Sequence, residues 1–544
     1  MAGNPSGWLY HAAMQRWAIL FLLAACATPG SELDLATVPE QSSWRRTATP
    51  EAVQAFLQTL AARDRRLNLD LAGLTSEGRP VTVAMLADPP VLDLNAAAND
   101  PRPKVLVVGS IHPGECEAKE AILALLRDLA VQENIPWLRQ IIVAFVPDWN
   151  ADGSAAITEL SRETQAGPSD GCGRRETSRG LDLNRDFTKL EASESRAMMR
   201  ILRLLDPLLT VDGHTTDGSW HGFDLTYAGP LSPATDPELL RFVRERMLPE
   251  VRAAMAARGF QTFDYGNWRG NWWPEEPGRV WETYDHLPRY MTNGIGLRNR
   301  LSLLSEAYVH RPFRERIAST RALIECALDF VHLRILDVVA VTNAADARAA
   351  ELCRGGHIEL DGALQPTGTT VIPVARVRSV VDPVTQRREL HHDGIVAWQH
   401  SETAVHFSGL ESVRVPLAFA LPDPPEEVRQ LLLHHGIRHH LLEAPATAEA
   451  EAFVISSLQR APRAFQGHHL LSAEGAMEQG THILPQGTLV VPTAQPLARL
   501  VLLLLDPRAP DGFLAWGKLP VSERDGVATV PVLRLITPPI PRDK

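Results

Sequence analysis

Short apolar runs alternate with segments of helical spacing between residues 67 and 335. The apolar runs predict buried strands at 81–86, 105–111, 141–146 and 208–211, and apolar residues at helical spacing predict helices at 50–66, 116–131, 192–205 and 313–335. This alternation is typical of an α/β fold with a mostly parallel central sheet. Ligands bind such sheets at the carboxyl ends of the strands, so polar residues there are the first candidates for function.

The pattern changes near residue 336. The rest of the chain contains short apolar runs separated by Gly and Pro, at 370–374, 403–407, 488–491 and 500–505, with one predicted helix at 426–435. Short strands bounded by turn residues predict a β-rich domain. We therefore predict an α/β domain at 51–335 and a β-rich C-terminal domain of unknown role at 336–544.

The N-terminus resembles a bacterial lipoprotein signal. Arg16 precedes an apolar run at 17–25, which is too short to span a bilayer and is typical of a signal-peptide core. The run ends in LAAC at Cys26, which resembles a lipobox. The resemblance implies a signal peptide at 1–26, lipidation of Cys26 and a periplasmic protein anchored to the membrane. An ordinary cleaved signal or a short buried helix is the alternative.

The segment that follows the predicted signal is rich in Ser, Thr and Pro. This composition predicts a flexible tether at 27–50. Because Ala27 rather than Asp follows Cys26, the lipoprotein pattern favours the outer membrane.

Composition excludes some classes of protein. The 544 residues are 45% hydrophobic and 22% charged, as in ordinary globular domains. A net charge of −11 without clustered Lys and Arg argues against nucleic-acid binding. In an oxidising compartment, disulfides could pair the remaining cysteines in three ways that the sequence does not distinguish. These cysteines are Cys116, Cys172, Cys326 and Cys353.

The candidate chemistry begins at the end of the predicted strand 105–111, where His112 is followed three residues later by Glu115. Both residue types bind Zn²⁺, and a catalytic zinc site needs two or three such ligands with one position open. The pair alone is weak evidence for a zinc site, because a solvated loop His beside a Glu at a helix start gives the same pattern. A third candidate, His214, ends another predicted strand. Glu306 stands in an otherwise apolar strand, where a lone carboxylate is costly unless it is paired or functional.

The ordered motifs together resemble the zinc metallocarboxypeptidase superfamily, over roughly residues 70–335. They are His-x-x-Glu at 112–115, Asn-x-Asp-Gly at 150–153, Asp-Leu-Asn-Arg at 182–185, the strand-end His214 and Glu306. The resemblance implies a three-layer α/β/α fold with a mixed, mostly parallel sheet of carboxypeptidase type. It also implies one Zn²⁺ per chain, with His112, Glu115 and His214 as its ligands.

The resemblance further assigns two catalytic roles. Glu306 would be the general base that accepts a proton from water and delivers it to the leaving amine. Arg175 would stabilise the oxyanion. Arg174 and Arg179 are alternatives for that role, and a structural ion pair is another reading of Arg175.

Substrate binding is implied for three residues. Asn184 and Arg185 would bind the terminal carboxylate of a substrate, although Arg185 could instead pair with a neighbouring Asp. Tyr284 would close over the substrate, with Tyr290 nearby as an alternative. Four Trp lie between Trp268 and Trp281 and could form an aromatic wall or part of the core.

These features favour a zinc-dependent hydrolase that cleaves peptide (amide) bonds, above all a carboxypeptidase acting on periplasmic peptides. A peptidoglycan stem-peptide amidase and an N-acyl amino acid deacylase could use the same residues on a peptide or amino-acid-amide substrate. An inactive peptide-binding lipoprotein is an alternative of another class, but such proteins typically lose the base or a metal ligand, and here all are present. The preferred side chain and the oligomeric state stay open.

Overall fold

A computed structural model describes residues 35–216, 218–270, 278–381, 383, 388–524 and 527–541. The predicted signal peptide and Cys26 lie outside these residues. Within them, no helix has the length and apolar character needed to cross a membrane.

The central sheet has eight strands in the order β1-β2-β4-β3-β5-β10-β6-β7. Strands β3, β4, β5 and β10 are parallel to their neighbours within this central block, and the antiparallel pairs lie toward the edges. The predicted mixed, mostly parallel sheet is therefore confirmed. The strands up to β10 are β1 Leu67–Leu74, β2 Pro80–Leu86, β3 Lys104–Val108, β4 Ile142–Val146, β5 Leu209–Thr215, β6 Leu225–Ala228, β7 Thr262–Asp264, β8 Asn267–Trp268, β9 Val280–Glu282 and β10 Leu301–Ala307.

Helices cover both faces of this sheet because side chains alternate along each strand. In β3, Val105 and Val107 belong to one apolar cluster, and Leu106 and Val108 belong to another. The result is the predicted three-layer α/β/α arrangement. Up to residue 351 the α-helices are Val38–Gln41, Pro50–Arg63, Leu94–Asn99, Glu117–Ala130, Ala151–Ala155, Ser193–Leu205, Pro237–Phe242, Leu248–Ala257, Met291–Gly296, Phe313–Leu333 and Ile335–Glu351.

The C-terminal region is rich in strands, as predicted. It contains two long hairpins, β13–β14 and β19–β20, and β14 also pairs with β9, so one small sheet crosses the predicted boundary at residue 336. Its strands are β11 His357–Glu359, β12 Gly362–Gln365, β13 Gly368–Val381, β14 Arg388–Ala404, β15 His406–Gly409, β16 Ser412–Arg414, β17 Ala418–Leu421, β18 His440–Leu441, β19 Ala446–Arg460, β20 Leu471–Leu484, β21 Leu489–Pro492, β22 Ser522–Arg524, β23 Val527–Leu535 and β24 Ile540–Pro541.

One apolar run in this region is a helix and not a strand. The predicted helix forms at Glu426–His435, but the run at 500–505 lies in the helix Ala498–Leu505, whose residues are all buried. A continuous apolar run has no period that separates a buried strand from a buried helix, and Leu favours the helix. The interpretation of 500–505 as part of the strand pattern was therefore wrong.

The prediction of a flexible tether at 27–50 is also wrong for residues 35–50, the part of it that the structure describes. Ala48 is buried, and the Glu120 carboxylate accepts hydrogen bonds from Thr47 Oγ1 (2.6 Å) and from the Ala48 backbone N–H (2.7 Å). The Lys119 ammonium donates to the Ala48 carbonyl at 2.5 Å. Residues 35–50 therefore pack on the α/β region, because two buried charged side chains require partners from this segment.

The four cysteines after Cys26 are free thiols. Cys116, Cys172 and Cys326 are buried, and Cys353 is partly buried. Burial raises the pKa of the Cys172 thiol to about 11 and that of the Cys326 thiol to about 11. Both thiols are therefore protonated and unreactive near neutral pH.

Candidate metal and substrate site

Three neighbouring parallel strands bring the predicted ligands and base together. His112 and Glu115 lie in the turn between β3 and the helix Glu117–Ala130, and His214 lies on β5. Glu306 lies on β10 directly opposite His214 in the register of the sheet. Because the carboxyl ends of parallel strands meet at one edge, His112 and Glu306 line the same cavity although they are far apart in the chain.

His112, Glu115 and His214 form a compact buried triad. One potential ligand atom from each lies within 4.8 Å of the others. His112 Nδ1 lies 3.2 Å from Glu115 Oε1, and His214 Nδ1 lies 2.8 Å from Glu115 Oε2. Both imidazoles therefore present the same nitrogen to the same carboxylate.

A second carboxylate orients each imidazole from behind. His112 Nε2 lies 2.9 Å from Asp182 Oδ1, and His214 Nε2 lies 3.2 Å from Asp212 Oδ1. A proton on His112 Nε2 donated to Asp182 leaves the His112 Nδ1 lone pair directed at Glu115. The Asp212 carboxylate lies on the corresponding side of the His214 ring. Metal-binding histidines in proteins have this arrangement, in which an outer carboxylate fixes the tautomer of the ring.

The triad fits a zinc ion. Within the described part of the chain, His112 Nδ1 is buried and makes no well-formed hydrogen bond, so it is a donor atom available to a metal. Two imidazoles and one carboxylate are the ligand types that zinc prefers at a catalytic site.

Two arginines lie next to Glu115. Arg162 Nη1 donates to Glu115 Oε1 at 3.0 Å, and Arg175 Nη1 donates to the same oxygen at 3.3 Å. Burial alone would raise the pKa of Glu115, but His112 and Arg162 outweigh that effect and hold the pKa well below its usual range. The Glu115 carboxylate is therefore ionised, as a metal ligand must be.

The sequence offered no indication of Arg162. This residue lies in an irregular segment, 47 residues from Glu115, and its Nη2 also donates to the carbonyl oxygens of Thr215 (3.2 Å) and Thr216 (2.6 Å). Its role depends on a loop that has no periodic pattern and crosses the carboxyl end of β5.

The predicted carboxylate-binding residues lie beside the triad, on a turn of 3₁₀ helix, Leu183–Arg185. The Asp182 carboxylate caps this turn by accepting the Asn184 N–H at 2.8 Å. The carbon at the centre of the Arg185 guanidinium lies 4.3 Å from the centre of the Tyr290 ring. Among the described residues, Arg185 forms no ion pair with an Asp, so the structural alternative for it is not observed.

All eight predicted metal, catalytic and substrate residues line one cavity of about 160 Å³. The structure thus brings the predicted residues together, while their individual roles remain predictions. The eight are His112, Glu115, Arg175, Asn184, Arg185, His214, Tyr284 and Glu306, and the wall is completed by Thr215, Tyr265, Tyr290 and Leu304.

The arginine alternatives separate in space. Arg175 lines the cavity but also pairs with Glu115 and, through Nε at 3.0 Å, with Asp182, so both interpretations of it keep support. Arg179 lines a different cavity, and Arg174 is exposed. Of the three arginines considered for the oxyanion role, Arg175 is therefore the one that lines this cavity.

The aromatic residues divide between the site and the core. Tyr284 and Tyr290 both line the cavity, with ring centres 5.2 Å apart. Trp268 and Trp281 are fully buried and pack against each other, which makes them core residues. The two remaining Trp of that segment lie outside the described residues.

Comparison with known proteins agrees with this geometry. A family described as zinc carboxypeptidase matches residues 53–200, which include His112, Glu115, Asn184 and Arg185. This part of the chain, residues 53–200, is thus similar to zinc carboxypeptidases. His214 and Glu306 lie beyond the matched range, on β5 and β10, and the pairing of β5 with β3 connects these strands to it.

Carboxypeptidase D from Mus musculus is 34% identical over 133 residues, which are 21% of this chain and 9% of that protein. The protein of the same name from Rattus norvegicus is 34% identical over 134 residues, with the same shares. The chain thus spans about a tenth of the length of these relatives.

Solved structures with a similar chain path include a metallo-carboxypeptidase from Burkholderia cenocepacia. It is 20% identical, with a TM-score of 0.39, and the match covers 53% of this chain and 70% of that chain. A metallo-carboxypeptidase from Pseudomonas aeruginosa is 16% identical, with a TM-score of 0.38 and coverage of 54% and 70%.

Proposed function

We propose that the protein is a zinc-dependent carboxypeptidase that removes C-terminal residues from peptides. One observation carries this proposal: the metal triad, the Glu306 carboxylate and the Arg185 guanidinium line the same small cavity. A hydrolase needs the first two, and an exopeptidase needs a cation for the free carboxylate as well.

Zinc held by His112, Glu115 and His214 would supply a Lewis acid for the scissile carbonyl and lower the pKa of a water molecule. The chain supplies the orientation of the ligands. Asp182 and Asp212 hold the two imidazoles from behind, and Arg162 holds one oxygen of Glu115. Outer contacts of this kind keep ligands in place before the metal binds.

We assign the proton transfers to Glu306. It is 8% exposed, it lies opposite His214 on the adjacent strand, and it lines the cavity. Its carboxylate would accept a proton from the attacking water and deliver that proton to the nitrogen of the leaving amine. General-base contributions of this kind are typically worth 10²–10⁴ in rate.

Arg185 and Asn184 would hold the terminal carboxylate of the peptide. A guanidinium presents two parallel donors to a carboxylate, and Arg185 is held by its ring contact with Tyr290 and by donation from Nη1 to the Asn184 carbonyl at 2.8 Å. A charged hydrogen bond of this kind is worth about 1.5–3 kcal/mol.

The test compares a good peptide substrate with its C-terminal amide. Wild-type kcat/KM should fall roughly ten- to a few-hundredfold on amidation, because each 1.4 kcal/mol is a factor of ten. Arg185→Ala should show a similar loss on the free acid and little further loss on the amide. Arg179→Ala is the matched control, since Arg179 lies six residues before Arg185 but lines another cavity.

Equal losses on acid and amide in Arg185→Ala would overturn the carboxypeptidase proposal and leave a zinc hydrolase of another specificity. Analysis of products from a mixed peptide library would then separate an endopeptidase from a deacylase.

We also propose that the protein acts in the bacterial periplasm, tethered by a lipid on Cys26. The LAAC sequence that ends at Cys26 supports this proposal. Cys26→Ser should move the protein from the membrane fraction to the soluble fraction, because no other lipid attachment is predicted. Continued membrane association of that variant would contradict the assignment.

A further inference from the structure

The β-rich C-terminal region contacts both segments that form the proposed carboxylate subsite. The first segment, 182–191, carries Asn184 and Arg185, and the second, 284–291, carries Tyr290. Two direct hydrogen bonds join the segments: the Phe187 N–H donates to the Arg289 carbonyl at 3.2 Å, and the Met291 N–H donates to Asn184 Oδ1 at 2.9 Å.

A third connection comes from Asp511, in the loop after the helix Ala498–Leu505. Asp511 Oδ2 accepts hydrogen bonds from Thr188 Oγ1 (3.0 Å) on the first segment and from the Arg289 N–H (2.8 Å) on the second. Asp511 Oδ1 lies 2.8 Å from Arg289 Nη2 and accepts from Trp516 Nε1 at 2.8 Å. Oδ2 of this buried carboxylate thus joins the two segments, and Oδ1 joins the second segment to Trp516 of the C-terminal region.

The positions of these partners relate the bridge to the subsite. Thr188 lies three residues after Arg185, and Arg289 directly precedes Tyr290, whose ring packs on the Arg185 guanidinium. Asp511 and Arg289 are 1% and 6% exposed, so the bridge is shielded from water. Charged hydrogen bonds are stronger in such a buried environment.

The same region holds the first segment at two more points. Gln466 Oε1 accepts the Asp182 N–H at 2.8 Å, and His435 Nε2 lies 3.0 Å from the Thr188 carbonyl oxygen. The C-terminal region therefore contacts this segment on both sides of Arg185.

We propose that Asp511 is a positioning residue of the carboxylate subsite, through which the β-rich region sets the Arg185 guanidinium against Tyr290. This inference rests on the proposed carboxypeptidase function. The C-terminal region would then take part in substrate selection, because the preference for a free terminal carboxylate would depend on the bridge formed by Asp511.

The test measures kcat/KM on a peptide acid and its amide for Asp511→Asn in the full chain. We expect the acid value to fall roughly tenfold, mainly through KM, with the amide value nearly unchanged, since displacements near 1 Å at a binding group cost up to about 10² in rate. The ratio of the two values is the readout, because a general loss of folded enzyme lowers both equally.

Asp506→Asn is the matched control. Asp506 is an equally buried carboxylate of the same region, but its partners are Arg508 and Arg534. This variant should keep the wild-type ratio. Thr188→Val removes one arm of the bridge at nearly constant volume and should lower the ratio about threefold, which provides a result if Asp511→Asn does not fold.

A folded Asp511→Asn, or failing that a Thr188→Val, with the wild-type ratio would overturn the inference while the proposed function stands. A wild-type enzyme that does not distinguish acid from amide would overturn both.

Discussion

Replacing Asp182 with Asn should weaken zinc binding without removing any metal ligand. Asp182 Oδ1 lies 2.9 Å from His112 Nε2, and Asp182 is 5% exposed. Burial alone would raise the pKa of Asp182, but His112 and Arg175 outweigh burial and hold the pKa well below its usual range. The group is therefore charged at neutral pH, and its charge favours a cation at the triad.

The expected magnitude follows from that contact. Loss of an outer carboxylate behind a metal-binding His typically costs 10–100-fold in metal affinity, or about 1.4–2.7 kcal/mol. Asn keeps a similar shape and can still accept a hydrogen bond, so the fold should persist. The upper part of the range is expected here, because Asp182 also caps the turn at Asn184 and pairs with Arg175.

The assay is competition for zinc between the protein and a chromophoric chelator, with circular dichroism to confirm folding. Asp212→Asn is the comparison, since it changes the corresponding carboxylate behind His214 at the longer distance of 3.2 Å and should cost less. A folded Asp182→Asn whose zinc affinity stays within twofold of wild type would refute the reasoning.

His112→Ala and His214→Ala should each lose most bound zinc by elemental analysis, because two ligands cannot hold the ion as three do, and full occupancy would disprove the ligand assignment. Glu306→Gln should keep fold and zinc but lose roughly 10²–10⁴ in kcat, and near-normal turnover would place the base elsewhere. Burial alone would raise the pKa of Glu191, but its contact with Lys518 outweighs burial and lowers the pKa from 4.5 to about 2. Its contribution to the free energy of unfolding should therefore be complete above pH 4.5 and decline as the pH falls toward 2. The difference in the free energy of unfolding between wild type and Glu191→Gln should shrink over that range. A difference that does not change with pH would contradict this prediction.

The order of motifs along the chain was sufficient to predict the centre of the site. His112, His214 and Glu306 each stand at or near the end of an apolar strand, and parallel strands share the edge at which they end. Local patterns placed each of these residues at the end of a strand, and the resemblance of the ordered motifs to zinc metallocarboxypeptidases implied that the three lie together.

Local patterns were insufficient where packing decides conformation. The apolar run in the helix Ala498–Leu505 has no period, and residues 35–50 have the composition of a linker although Ala48 is buried. In the first case the pattern does not distinguish a buried strand from a buried helix. In the second case burial against the rest of the fold overrides the composition of the segment.

The sequence by itself determined the α/β pattern, because strand and helix periods are properties of neighbouring residues. The resemblance of its ordered motifs to a known superfamily implied the candidate ligands and the base. Only the tertiary structure decided which side chains support them. Arg162 reaches Glu115 from a loop without a pattern, and Asp511 reaches Thr188 across 323 residues. Contacts of this kind depend on how separately formed layers pack, and that packing is set by the shape and burial of the whole molecule.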